Sequence, residues 1–314
     1  MSDLYLDSTA IKCFLDCREA FRLRYIENLV AAEPSFHQAI GIAVHLAAET
    51  HNRGGSFEDG LRLAADELQK FPENLLNPYS QTRFRELAAE LPSMVACYFD
   101  EIDNSDLEII AIEEEWSYEY LPRVFLCGRK DKVGRRASGD YVLFDLKTAS
   151  EIGKNWKAEF RGSMLRDFGL ALYDWHESRI LRVPSTVKVE CLVKPYKTKE
   201  PRIEIFDLPE ITAYRKRFEQ QLAWVVNEIV HYHNYYKDQH PWPMAQGQCL
   251  TKYGPCEYLK VCCFGRSNKI LSEYIPRTEH LEVRRQREVP ADSALNEANQ
   301  KGRERNHNWN KSHK

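Results

Sequence analysis

The stretch VFLCGRKDKVGRRASGDYVLFDLKTAS, residues 124–150, sets Asp131, Asp145 and Lys147 in a segment that otherwise reads as a β-hairpin. In an extended strand alternate residues share a face. Val142, Phe144 and Leu146 are therefore expected to face the core, with Asp145 and Lys147 on the opposite face. Asp131 belongs to the preceding strand, and antiparallel pairing across a short turn places it beside Asp145. Two carboxylates pressed together repel each other, and a hard divalent cation relieves that repulsion through oxygen ligands. A lysine beside them can orient a water and offset charge on phosphate oxygens. The chemistry this pattern supports is metal-assisted hydrolysis of a phosphodiester. The bland alternative is a solvated hairpin face with an Asp–Lys pair, which is common and contributes little.

Two further groups bear on that choice. In GIAVHLAAE, His45 stands among small apolar residues at helical spacing, with Gly41 one turn before it and Glu49 one turn after it. A histidine there is more often a satisfied core residue, but a neutral imidazole also ligates metals when its other nitrogen has a partner. In QCLTKYGPCEYLKVCCFG, Cys249, Cys256, Cys262 and Cys263 crowd a turn-rich segment. Three thiolates need a fourth to close a zinc site or a cubane iron–sulfur cluster. CFLDCREAF near the chain start offers Cys17, or Cys13 one helical turn earlier. Free thiols are the bland alternative, but four cysteines within 15 residues are uncommon enough to favour a metal, and spacing alone does not separate zinc from iron–sulfur. Cys97, Cys127 and Cys191 read as buried small hydrophobes.

The elements that must position these groups change character along the chain. Residues 7–29 read as a helix capped by Asp7 or Ser8, and 36–53, 57–71 and 79–102 as three more. LEIIAIEEEWSYEYL, RVFLCGRKDKV and DYVLFDLKT are β-rich, with GRRASG as the turn between the last two. A helix is expected near 162–181, then the strands TVKVECLVK and RIEIFDL, then a long helix from Pro209 to about 236. A sheet flanked by helices follows, α/β or α+β. The polar segment 276–314 reads as a disordered tail.

Composition narrows the class. The chain has 314 residues, 43% hydrophobic and 29% charged, which is ordinary for a globular protein with a sizeable core. No apolar run is long enough to span a bilayer and the start lacks a signal-peptide pattern, so the expected location is cytoplasmic, with no membrane partner. The nine cysteines are an odd count, which in a reducing compartment reads as thiols or metal ligands. A net charge of −3 gives no whole-molecule attraction for nucleic acid, although a local basic groove would suffice. No phosphate loop of the G-x-x-x-x-G-K-[ST] type is found, which argues against an ATP-driven motor.

Taken together, the motifs resemble the RecB-type nucleases of the PD-(D/E)xK superfamily, and most closely their iron–sulfur subgroup, which includes CRISPR-adaptation exonucleases and AddB-like nuclease domains. The resemblance covers roughly residues 5–265 in the family's order. STAIKCFLDCREAFRLRYIENL is similar to the family's opening and places its first cluster ligand on Cys17. GIAVHLAAE resembles G-x-x-x-H and gives His45, LCGRKDKV resembles G-x-x-D and gives Asp131, and VLFDLKT resembles D-x-K-T and gives Asp145 and Lys147. Cys249, Cys256 and Cys262 match the three late cluster ligands, with Cys263 an alternative to Cys262. Three departures stand out. Gly169 sits where the family's Gln-x-x-x-Tyr motif has Gln, although Tyr173 is kept; the first two late cysteines are farther apart than usual; and Arg18, not Pro, follows Cys17.

The resemblance implies an α/β, restriction-endonuclease-like core, a mixed central sheet flanked by helices, with an N-terminal helical segment and a C-terminal cysteine cluster. It implies a single nuclease domain over 1–270: helical over 1–105, a catalytic sheet core over 106–207, and a long helix and cysteine cluster over 208–265. His45, Asp131 and Asp145 would hold Mg²⁺ or Mn²⁺, with the Leu146 carbonyl a further ligand. Lys147 would position the attacking water and Tyr173 a nucleotide. Arg18, Arg22 and Arg24 would contact backbone phosphates, or merely be solvated. A 4Fe–4S cluster, with zinc as the alternative occupant, would pin the first helix to the C-terminal segment. The substrate would be DNA, at single-stranded ends, in recombination, repair or phage replication, with a helicase or recombination protein as partner. The rivals are a catalytically silent nucleic-acid-binding or assembly protein of the same fold, and a zinc-stabilised protein of unrelated function.

Overall fold

The computed structural model describes residues 3–31, 35–150, 153–180, 182–195, 200–236, 241–251 and 254–276. The expected tail beyond residue 276 lies outside the described residues. In chain order the elements are β1 (Leu4–Leu6), α1 (Ser8–Asp16), α2 (Arg18–Phe21) with a π-turn over Arg22–Ile26, β2 (Leu29–Ala31), α3 (Phe36–Asn52), α4 (Phe57–Gln69), α5 (Pro78–Ala89) and α6 (Leu91–Glu101). There follow β3 (Leu107–Leu121), β4 (Val124–Arg136), β5 (Tyr141–Ala149), α7 (Trp156–Met164), α8 (Phe168–Arg179), β6 (Pro184–Val193), β7 (Arg202–Asp207) and α9 (Pro209–Tyr235). The C-terminal segment carries β8 (Leu250–Thr251), β9 (Gly254–Pro255), α10 (Leu259–Phe264), α11 (Asn268–Leu271) and β10 (Tyr274–Pro276).

A mixed six-stranded sheet runs in the order β1-β4-β5-β6-β7, with β3 also paired to β4. β1 pairs parallel with β4 and β5 parallel with β6, while β3–β4, β4–β5 and β6–β7 are antiparallel. A strand has two edges, and β3 follows β4 over nearly its full length on one of them. β1 and β5 must therefore share the other edge, β1 over Val124–Leu126 and β5 over Lys132–Arg135. Between them Cys127–Asp131 has no ladder partner on that edge among the described residues. This notch in the sheet is the feature that matters for the site.

Helices cover both faces. On one, Ile40, Val44 and Ala47 of α3 pack with Met94, Val95 and Tyr98 of α6 and with Leu146 and Leu192 of the sheet. On the other, Leu143, Val133, Val187 and Val189 pack with Leu170 of α8 and Ile211 of α9. α9 buries the helical stripe Phe218, Leu222, Val225, Val226 and Ile229, and Pro209 in its first turn forfeits no helical hydrogen bond. With both faces covered, β5 is a central strand buried throughout its first six positions but the edge Tyr141. The bland alternative of a solvated hairpin face does not hold: Asp145 is 3% exposed, on the face that α8 covers.

The N-terminal segment departs from a plain helical reading in two ways. β1 joins the main sheet, and β2 pairs with β10. Residues 7–29 are not one helix: Asp7 caps α1 through the Ala10 N–H, and the chain then breaks at Cys17, whose φ of −160° is extended. The expected helix over 79–102 is likewise split at Glu90, with Pro92 in the first turn of α6.

Candidate active site

Asp131 sits at the end of the notch. Continuing the β4–β5 register beyond Lys132↔Phe144 sets it opposite Asp145, but the two strands part there. The Leu146 N–H, freed from the ladder, donates to Asp131 Oδ2 at 2.7 Å. The carboxylate is thus fixed by the backbone of the strand that carries the next acid. His45, one face-turn along α3, brings Nδ1 to 3.7 Å from Asp131 Oδ2. The same nitrogen lies 3.5 Å from Glu113 Oε1.

Glu113 has no assigned role in the sequence motifs, yet it completes the cluster. It lies across β3–β4 at the position facing Asp131, between the Ile112↔Lys132 and Glu114↔Lys130 pairs. Its φ of +49° is left-handed, a conformation that is uncommon and costly for a residue with a Cβ. That kink swings the carboxylate toward Asp131 and His45, while Glu113 Oε2 takes Arg129 Nε at 2.8 Å. One ligand atom each from His45, Glu113 and Asp131 lies within 4.8 Å of the others. The only outward signal in the sequence is the Glu113–Glu114–Glu115 run in an apolar strand.

Asp145 stands beside this group and faces Lys147, whose Nζ is 2.6 Å from Asp145 Oδ2. Burial pushes the Asp145 carboxyl up to about 6, against the pull of Lys147, and the charge of Asp131 adds to the rise. Burial likewise raises Asp131, although His45 and Lys147 oppose it. For His45 burial alone would depress the imidazole, but Asp131 and then Glu113 outweigh it and the net shift is upward. For Lys147 burial is also outweighed, by Asp145 and Asp131, so its ammonium is held firmly. The donor set is an imidazole and carboxylates crowded where like charges meet, which suits a divalent cation. Leu146 is tied in by its N–H.

Tyr173 of α8 packs over the notch. A Cβ on Gly128 would fall 2.9 Å from the Tyr173 ring and 3.1 Å from Trp116 Nε1, so the β4 glycine makes room for it. Gly41 is different: a Cβ there would meet nothing closer than Thr148 Oγ1 at 3.9 Å, so close approach does not require this glycine. Behind the cluster, buried Lys132 bonds Glu190 at 2.5 Å and Asn104 at 3.1 Å, and Tyr98 donates to Glu190 at 2.7 Å. This satisfied network ties α6 and β6 to the strand carrying Asp131.

The cysteines gather elsewhere. Cys17, Cys249, Cys256 and Cys262 line one small cavity, with Ala20, Met244 and Tyr258. The break at Cys17 takes this residue out of the α1 helix, whereas Cys13 packs nearby without lining the cavity and Cys263 is exposed. Cys97, Cys127 and Cys191 are buried. The early arginines, expected to contact phosphates or be solvated, are engaged in ion pairs. Arg22 is 2% exposed and paired with Glu19 and Glu27. Arg18 is held by Glu228 at 2.5 Å and Arg24 by Glu257 at 2.7 Å. Arg18 and Arg24 link the first helices to α9 and the C-terminal segment while staying partly exposed, whereas buried Arg22, paired on both sides, has no surface left for a phosphate.

A family model described as the PD-(D/E)XK nuclease superfamily matches residues 8–263. The chain belongs to this superfamily. Its mixed sheet flanked by helices is the restriction-endonuclease-like core of a PD-(D/E)XK nuclease, and nucleases of this superfamily use divalent metals. Among solved structures, one described as "Putative exonuclease" from Eubacterium rectale is similar, with 13% identity and a TM-score of 0.47, over 84% of this chain and 88% of that one. No curated protein matches the chain. No helix among the described residues is long and apolar enough to cross a membrane.

If Glu113 ligates the metal, Glu113→Gln weakens metal binding by about 10- to 100-fold and leaves the fold intact. The estimate follows from losing one charged donor of three. Manganese titration followed by thermal shift reads it; an unchanged midpoint concentration would show that Glu113 serves only Arg129.

Proposed function

We propose that this PD-(D/E)XK nuclease is an Mg²⁺- or Mn²⁺-dependent deoxyribonuclease of the RecB type, an exonuclease acting on single-stranded DNA ends in recombination, repair or phage replication in the cytoplasm. Residues 1–270 act as one nuclease unit. The observation that carries the reading is the convergence of His45, Glu113 and Asp131 beside the Asp145–Lys147 pair, in a notch of the sheet.

His45, Asp131, Asp145 and Glu113 would hold the metal, with the Leu146 carbonyl as a further ligand. When bound, the ion supplies Lewis-acid stabilisation of the phosphoryl oxygens and lowers the pKa of water. The protein does the rest. Lys147, with its side chain 37% exposed, presents an ammonium to the attacking water and to charge developing on the phosphate. Tyr173 closes the notch from α8 and orients a nucleotide.

Cys17, Cys249, Cys256 and Cys262 would hold a 4Fe–4S cluster, with zinc as the alternative. Tetrahedral zinc–thiolate bonds of about 2.3 Å set sulfurs roughly 3.8 Å apart. A helicase or recombination protein is the expected partner.

The test is cleavage of labelled single- and double-stranded DNA by the purified chain with Mg²⁺, Mn²⁺ or chelator. The expected result is metal-dependent release of mononucleotides or short products from single-stranded ends, abolished by chelation. Degradation that persists in chelator, or no cleavage of any DNA with either metal, would overturn the reading.

A further inference from the structure

Among the basic residues of the first helices Arg22 is buried, Arg18 and Arg24 are partly exposed in ion pairs, and Lys12 is the most exposed. Lys12 lies one turn beyond Ser8 on α1 and is 48% exposed, its Nζ 3.1 Å from Asp167 Oδ2. Asp167 caps α8, and two backbone donors stabilise its carboxylate: its Oδ1 accepts from Gly169 N at 2.8 Å and from Leu170 N at 3.1 Å. Burial would raise the Asp167 carboxyl, but Lys12 and then Lys147 hold it below the usual range, so Lys12 stands within electrostatic reach of the catalytic lysine's own neighbour.

The fold explains the placement. β1 borders the notch on the side opposite β5, and α1 begins directly after it. α1 is therefore the lip of the notch. Its first turn is pressed against α8: a Cβ on Gly169 would fall 2.9 Å from Asp167 Oδ1 and 3.2 Å from Ser8 Oγ, and the Tyr173 hydroxyl faces that of Ser8. α8 offers no side chain at position 169, so beside Tyr173 it is α1 that presents a long side chain at this part of the lip.

We propose that Lys12 is a substrate-binding residue that takes a backbone phosphate of the nucleic acid next to the scissile one. This rests on the nuclease reading above. An exposed ion pair is worth little in water, and Asp167 keeps its two N–H donors when the ammonium turns away. A phosphate can thus draw Lys12 from Asp167 without leaving a buried charge unpaired, whereas Arg22 could not be drawn out in this way.

The experiment compares wild type, Lys12→Ala, Lys12→Arg and, as a control, Lys70→Ala, which removes an equally ordinary exposed pair with Glu67 on α4. Binding of a labelled single-stranded oligonucleotide is measured in the Asp145→Asn background with Mg²⁺ over a salt series, and cleavage kinetics in the otherwise native chain. Lys12→Ala should weaken binding about 3- to 10-fold and flatten the slope of log K against log salt by about 0.7, the release expected for one phosphate contact on a single strand. KM should rise while kcat changes less than about twofold, and Lys12→Arg should restore both. Lys12→Ala with the salt slope and KM of Lys70→Ala overturns the proposal while the nuclease reading stands. A wild type that cleaves no DNA removes the nuclease reading, and this inference with it.

Discussion

Asp145→Asn lowers DNA cleavage by roughly three orders of magnitude or more, while the protein stays folded. The side chains are isosteric, the residue is enclosed between β4, β6 and α8, and the amide still accepts a hydrogen bond from Lys147. What is lost is the charge beside Asp131, and groups that act as one catalytic unit lose nearly all activity when any member is removed. The pH dependence of metal binding changes in a defined way. In the metal-free chain burial pushes Asp145 from an ordinary 3.8 to about 6. The folded state therefore holds this proton more tightly than the unfolded chain, and the stability it contributes is full below pH 4 and lost as pH rises through about 6. A divalent ion must displace the same proton, so affinity should climb with pH up to about 6 and then flatten as far as Asp145 is concerned. Asp145→Asn has no such proton. Its plot of log affinity against pH should be shallower by about one unit between pH 5 and 6. Calorimetry with Mn²⁺ at several pH values reads both effects. Full activity in the variant, or identical slopes, would remove Asp145 from the metal site.

Cys256→Ser loosens the C-terminal segment from the first helices and lowers Tm by about 10 °C or more. Structural metal sites hold many kcal/mol of folding energy, and a few kcal/mol is enough for such a shift in a chain of this size. The contacts that remain include Tyr258 Oη donating to Leu29 O at 2.7 Å, Trp242 N donating to Glu19 Oε2 at 2.8 Å, the Arg24–Glu257 and Arg266–Glu27 pairs, a small buried cluster of Ala20, Leu23, Tyr258, Val261 and Tyr274, and the short β2–β10 pair. Burial pushes the Cys262 thiol up to about 12 and raises the Cys256 thiol too, so in the absence of a metal these two stay protonated and make no ligand bond. Anaerobically purified wild type should be brown with broad absorption near about 400 nm if the occupant is iron–sulfur, and colourless if it is zinc. Cys263→Ser is the control, since that side chain is exposed and outside the cavity. Equal loss of colour and stability in the two variants would mean that the cavity is not the metal site.

Much of the core was written in local pattern. The alternation in VLFDLKT, the helical spacing around His45 and the long stripe of α9 each depend on near neighbours in the chain, and each formed where its periodicity placed it. The family order of the motifs is likewise a one-dimensional property, which is why His45, Asp131, Asp145 and Lys147 stood out before any contact was known. The ion pairs of Arg18 and Arg24 were not legible, because helix position gives no warning that Glu228 and Glu257, distant in sequence, lie close to them.

What the amino-acid order determined by itself was the element types, the superfamily motifs and the residues able to ligate. Tertiary structure alone decided that β1 and β5 share one edge of β4 and leave a notch, that Asp145 is enclosed and not wet, and that the chain breaks at Cys17 to deliver its sulfur to Cys249, Cys256 and Cys262. It also decided Glu113. A left-handed kink opposite Asp131 is favoured by no local propensity; it persists because strand pairing on either side holds the backbone there, and only long-range pairing can supply that constraint.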